Sequence, residues 1–181
     1  MKHRFVAPTR LAESEGDRRS IFQGKPSCHL LRRLLAIAAL KKVVLISCVK
    51  KKLLHKAKAE HLYTSPLFKG YLRYARNLKP DRIFILSAKH WLLELDREIE
   101  PYNSTLKDLP VVQVRAWADK VIEQLKQQAD LQNDHFIILA GEKYRKFLRP
   151  HLKSFEVPFQ RMSFFKQLQY FANQSHEPNL P

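Results

Sequence analysis

The chain has 181 residues, 45% of them apolar and 28% charged. Those values suit one globular domain with a core of its own and argue against a disordered or fibrous chain. The longest membrane candidate, residues 34–40, falls far below the roughly 20 residues of a spanning helix, so no membrane is expected as a partner. The formal net charge is +16, unevenly spread. Residues 41–79 carry eleven Lys/Arg against one acid, Glu60, a balance of +10; residues 1–40 stand at +5 and residues 80–181 at +1. A concentrated basic segment either attracts phosphates or serves as a solvated surface.

Residues 1–40 read as a poorly ordered basic extension with a short helix at 30–40. Glu13, Glu15 and Asp17 oppose a transit peptide, no secretory leader pattern is present, and an upstream start serves equally well. Residues 41–174 form the single domain, and 175–181 a tail. Within the domain, 43–47 (VVLIS), 83–87 (IFILS) and 136–140 (FIILA) are continuous apolar, β-branched runs, as expected for strands buried on both faces. Ser65-Pro66 is a cap followed by proline at the first helical position. It opens a helix whose stripe is Leu67, Phe68, Tyr71, Leu72, Ala75 and Leu78. Residues 110–128 put Val111, Val114, Ala118, Val121, Ile122 and Leu125 on one face, with Trp117 at its edge. A third helix starts at Glu142 and runs to Leu152, 155–159 is an edge strand with Pro158 tolerated there, and 163–173 is a closing amphipathic helix. Alternating strands and helices give an α/β three-layer sandwich with a mostly parallel central sheet.

Parallel sheets bind ligands at the carboxyl ends of their strands. The three tips are Ser47-Cys48, Ser87-Ala88-Lys89-His90 and Ala140-Gly141-Glu142-Lys143-Tyr144. Cys48 precedes three lysines, and nearby positive charge favours a nucleophilic thiolate; a buried structural cysteine is the competing reading. Lys50, Lys51 and Lys52 could hold phosphates by charge, without the glycines of a P-loop. Lys89 could bind an anion and His90 act as acid, base or stacking ring, or both could be surface residues beyond a turn. Tyr102 next to Asn103 is a sensible nucleobase clamp, although turn chemistry also selects such residues. As a loop aromatic, Tyr102 is expected to contribute little to the core. Gly141 to Tyr144 open a helix after a strand, offering free N–H groups to an anion or only a tight turn. The cysteines, Cys28 and Cys48, lie in unrelated contexts, and no cluster has metal spacing. No metal and no cofactor are expected, and a reducing cytoplasm is the simplest compartment.

The stretches ISCVKKKL, LYTSPLFKGYLRYA, ILSAKHWLLELDREIEPYNSTL and ILAGEKYRKFL resemble a family of small bacterial proteins of unknown function. This is the YaaA-like or DUF6884 family, similar in fold to the uracil-DNA glycosylase superfamily. The likeness runs from about Lys41 to Phe171. Its motifs match at Cys48, Lys50 and Lys52; at Ser87, Ala88, Lys89 and His90; at Pro101, Tyr102, Asn103, Thr105 and Leu106; and at Ala140, Gly141 and Tyr144. It departs at Trp91, Arg161 and Phe165, where the family usually has glycine.

The resemblance implies a uracil-DNA glycosylase-like sheet and a nucleobase or nucleotide pocket. Cys48, Asn103 and Glu142 are the catalytic candidates, the last two for orienting water. Ser47, Lys50, Lys52, Ser87, Lys89, His90, Tyr102, Thr105, Gly141 and Tyr144 are the binding candidates. One expected function is N-glycosidic hydrolysis on nucleic acid. The alternative is non-catalytic nucleic-acid binding in stress or defence, resting on the +10 segment. A redox role for Cys48 is a third.

Overall fold

A computed structural model describes residues 40–174. The expected N-terminal extension and the 175–181 tail lie outside the described residues, apart from Leu40, which is in neither helix nor strand. The first strand, β1 (Lys42–Ser47), is flanked on both sides in a five-stranded sheet. Its neighbours are β3 (Arg82–Ser87) and β6 (His135–Leu139), both parallel to it, with Val44 opposite Ile83 and Ile137. Val43, Val44, Leu45 and Ile46 have no exposed surface. Cover on both faces is what their unbroken apolar run requires. The three expected strands are thus neighbouring and parallel, each beginning one residue earlier than read.

The edges were harder to read. A fourth strand, β4 (Trp91–Glu94), runs antiparallel to β3 and pairs Ser87 with Trp91. On the far edge β7 (Ser154–Glu156) pairs parallel with β6, shorter than the expected 155–159 strand and ending before Pro158. The order is β4-β3-β1-β6-β7. A separate two-stranded antiparallel ribbon joins β2 (Ala57–Lys58) to β5 (Glu98–Ile99) and brings the segment before Tyr102 beside the segment after β1.

Two short helices and three longer ones complete the described domain. α1 (Ala59–Leu62) follows β2, and α2 (Pro66–Asn77) is capped by Ser65, whose Oγ accepts from the Phe68 N–H at 3.2 Å. α2 packs on β1 and on α5 (Phe164–Asn173). α3 (Val111–Lys126) packs on β4. Its buried residues include Trp117, which the periodicity put at the edge, whereas Val111, expected inside, is 61% exposed in the first turn. The expected 142–152 helix is only α4 (Glu142–Arg145), followed by turns and a 3-10 turn at Arg149–His151. Pro150 cannot supply the N–H that an α-helix continuing through it needs.

From β1 the chain crosses to β3 on one side, and from β3 back to β6 on the other. Parallel crossovers are almost always right-handed, and two that run in opposite directions call for helices on both faces of the sheet. The connections leaving β1 and β6 therefore diverge, and a crevice between their carboxyl ends is the topological consequence.

Candidate functional site

Cys48 follows the tip of β1, and Tyr144 sits in α4 just beyond β6. The Cys48 Sγ and the Tyr144 Oη hydrogen-bond at 3.2 Å, across that crevice. The Leu106 backbone and the Thr105 side chain stand beside the phenol and oppose the rise in its pKa that burial causes. Lys143 secures the loop that carries Thr105 by donating to the carbonyls of Leu106, Lys107 and Leu109 at 3.4, 2.5 and 3.3 Å.

A second chain of hydroxyls starts at the tip of β3. Ser87 Oγ accepts from the backbone N–H groups of Lys89 and His90 at 3.2 and 2.9 Å. Both of its lone pairs are then taken, so its proton goes to the Tyr102 Oη, 2.7 Å away. Tyr102 in turn donates to the Tyr63 Oη at 2.8 Å. Trp117 ties the two chains together. Its indole N–H donates to the Ser87 carbonyl at 2.8 Å, and its ring meets Tyr144 edge-on at 5.5 Å between centroids.

Lys52 closes the cluster. Its ammonium lies 4.2 Å from the centre of the Tyr102 ring and 5.5 Å from that of Tyr63, and donates to the carbonyls of Val49 and Lys50 at 3.0 and 3.4 Å. Burial lowers the Lys52 pKa, and the nearby charge of Cys48 pushes it back up. Burial is also the largest cause that raises the phenols of Tyr63, Tyr102 and Tyr144 above the ordinary tyrosine range, and the charge of Cys48 adds to each. At neutral pH these phenols are hydrogen-bond donors and not bases. His90 meets Tyr102 edge-on at 5.2 Å. Its Nε2 is buried and has no hydrogen-bond partner among the described residues. Burial, then the charges of Lys89 and Arg97, hold its imidazole below the ordinary histidine value.

Of the residues singled out from the sequence, Cys48, Lys52, Ser87, Tyr102, Thr105 and Tyr144 meet in this cluster. His90 touches it through Tyr102, and the Lys89 ammonium stands 6.0 Å from the Tyr102 ring. Ser47 is buried at the end of β1. Lys50, Asn103 and Gly141 are exposed, and a Cβ built on Gly141 would meet nothing within 4 Å. Glu142 is exposed too, with its carboxylate held by Arg145 Nε at 2.7 Å and Arg149 Nη2 at 2.8 Å.

Two expectations change. Tyr102 is not a free loop aromatic, because its hydroxyl is tied inward and its ring is covered by Lys52. α4 has only four residues, too short to offer a helix N-terminus to an anion. The Trp91 ring lies under the Lys120 ammonium of α3 at 4.8 Å. Its φ is +58°, in the left-handed region, which is a physical reason for glycine at such a position. Arg161 and Phe165 are exposed.

Tyr63, Trp117 and Lys143 were not singled out as site residues. Tyr63 lies in one of the matching motifs, but nothing local pairs it with Tyr102, 39 positions away. A surface depression of about 790 Å³ lies elsewhere, beside the amino ends of β1 and β6. Lys41, Asp130 and Asp134 line it, and the Asp134 carboxylate is used by the N–H groups of Lys41 and Asp130. Among the described residues no group of three or more His, Cys, Asp or Glu is placed to hold a metal, and no helix is long and apolar enough to cross a membrane.

No curated protein and no solved structure matches the chain. A family model does, over residues 43–173, which include every side chain of the rim cluster. The chain belongs to that family, DUF6884, a family of unknown function.

Proposed function

We propose that the carboxyl rim of the sheet binds a nucleobase or nucleotide, and that on nucleic acid it supports hydrolysis of an N-glycosidic bond. The observation that carries this reading is the meeting of Cys48, Tyr144, Ser87, Tyr102 and Lys52 at the tips of three parallel strands. On binding, the phenols and the Ser87 hydroxyl would exchange their internal partners for the carbonyl and ring-nitrogen acceptors of a base. Lys52 and Lys89 supply charge for its phosphate, and exposed Lys50 adds to it. The likeness of the motifs to those of a family similar in fold to uracil-DNA glycosylases points the same way. The unfilled space beside Gly141 gives a ligand room to approach.

In the reaction, the C1′–N bond breaks with its electron pair going to the base. A water oxygen bonds to C1′, and the proton it loses ends on the base. Asn103, exposed next to Tyr102, is the candidate that orients this water. Glu142, pinned by Arg145 and Arg149, is the weaker candidate for the same work. Cys48, hydrogen-bonded to the Tyr144 hydroxyl, is the alternative nucleophile at C1′.

Mass spectrometry of the purified protein, followed by titration with mononucleotides, is the direct test. A bound nucleotide, and binding that weakens on Ser87→Ala and Lys89→Ala, are the expected results. Chromatography of oligonucleotides incubated with the protein should then show free base, lost in Asn103→Ala. Absence of any mononucleotide binding sinks the pocket. Binding without base release sinks the hydrolase and leaves non-catalytic recognition, the reading that the +10 segment favours.

A further inference from the structure

Tyr63, the last phenol of the Ser87–Tyr102 chain, is also a wall of a second feature. A groove of about 460 Å³ opens between the segment after β1 and the outer side of α2, lined by Leu53, Tyr63 and Thr64 on one side and by Lys69, Arg73 and Arg76 on the other. The three cations stand four and then three positions apart, the spacing that puts side chains on one helix face. From the first to the last the helix rises about 10 Å.

The acid in this groove is already engaged. Glu60 pairs with Arg76 and lies 3.4 Å from His61 Nε2. Arg73 donates to the Phe171 carbonyl at 2.6 Å, which fixes its guanidinium against α5. Lys69 is exposed. Lysine and arginine outnumber the acid in the lining by three to one. Such an excess, confined between walls, concentrates the positive potential along the groove.

We infer that this groove binds the phosphate backbone of a single nucleic-acid strand and leads it past Tyr63 to the rim. A single row of cations faces one row of phosphates. Two backbones separated by grooves of about 6 and 12 Å, as in a duplex, would find cations for only one of them. The inference rests on the reading of the rim as a nucleotide site and adds the path by which a polymer reaches it. Its contacts carry charge and no base readout, so it raises affinity for any sequence.

Fluorescence anisotropy of a labelled oligothymidylate over a range of salt concentrations tests it, with thymidine monophosphate as the ligand for the rim alone. In the Lys69→Ala/Arg76→Ala chain the slope of log affinity against log salt should shrink by roughly 0.7 for each cation removed. Thymidine monophosphate should bind as before. Lys69→Arg, which keeps the charge, should leave the slope unchanged, and circular dichroism should show the helix retained. An unchanged slope in the double variant overturns the inference, as does failure of the oligonucleotide to bind the parent. Tighter binding of duplex than of single strand, with the same loss of slope, overturns the single-strand assignment. If thymidine monophosphate fails to bind the parent while the slope still falls in the variant, the rim reading fails and the groove stands by itself as a strand-binding site.

Discussion

Tyr102 shows how one side chain can be misjudged from its place in a loop. Proline, asparagine and serine around it describe a turn, yet its hydroxyl bridges Ser87 and Tyr63 under the Lys52 ammonium. Tyr102→Phe removes that oxygen and strands two partly buried hydroxyls, at a cost of about 1–3 kcal/mol. Urea unfolding should show a lower midpoint with an unchanged slope. Tyr102→Ala should cost more, since the ring under Lys52 is lost as well. His90 gives a prediction in pH. Its folded-state pKa is held below the ordinary histidine value by burial and by Lys89 and Arg97. As pH falls, the unfolded chain therefore takes up the proton first. The stability contributed by this neutral imidazole is complete above about 6.5 and is lost as pH drops from there through the lower folded-state value. In His90→Asn the acid limb of a stability-against-pH curve should be flatter than in the parent. An identical limb would show that His90 is solvated in both states.

Among the elements, α2 and α5 approach closely at Gly70. A Cβ on Gly70 would stand 2.5 Å from Phe171 Cγ and 2.9 Å from its Cβ. Tyr71 Oη donates to Gln167 Oε1 across the same interface, and Arg73 donates to the Phe171 carbonyl. Gly70→Ala gains about 1 kcal/mol of helix propensity. Against that, Phe171 is buried and meets the new methyl at the base of its ring, where it cannot swing away. Overpacking of this kind costs about 1–3 kcal/mol, so the substitution should destabilise on balance. A Phe171→Leu exchange in the same chain should restore part of the loss. Equal and additive effects in a double-mutant cycle would mean that the two residues do not meet. Arg73 thus serves both this packing and the lining of the groove.

For the whole molecule, the sheet order decides both stability and the place of the site. β1 has a parallel partner on each side and is sealed from solvent, whereas β7 is a three-residue edge with Phe155 38% exposed. Hydrogen exchange should therefore protect the amides of Val44, Leu45 and Ile46 most and those of Phe155 and Glu156 least. Equal protection in the two strands would contradict the order β4-β3-β1-β6-β7. The same order puts the crevice between β1 and β6, which the Cys48–Tyr144 contact spans.

The sequence by itself determined the central sheet. The runs VVLIS, IFILS and FIILA lie within one residue of β1, β3 and β6, because strands buried on both faces cannot afford polar residues and so are legible as unbroken apolar stretches. It also located the start of α2, because a cap acts within three residues: Ser65 bonds Phe68. It put Cys48, Ser87 and Tyr144 at strand tips, which alternation of strands and helices suffices to do. Only the tertiary structure decided which side chains meet there. The partners of Cys48 and Tyr63 lie 96 and 39 positions away, and a hydrogen bond across such distances leaves no periodicity in the chain. Trp117 was put at the edge of its helix because a stripe is read against an ideal period, whereas its burial depends on the Ser87 carbonyl and the Tyr144 ring beside it. The Glu142 helix was read too long for a related reason. Its apolar spacing continues past Arg145, but the chain turns away before Pro150, and the Glu142 carboxylate is occupied by Arg145, three positions on in α4, and by Arg149, brought close by that turn.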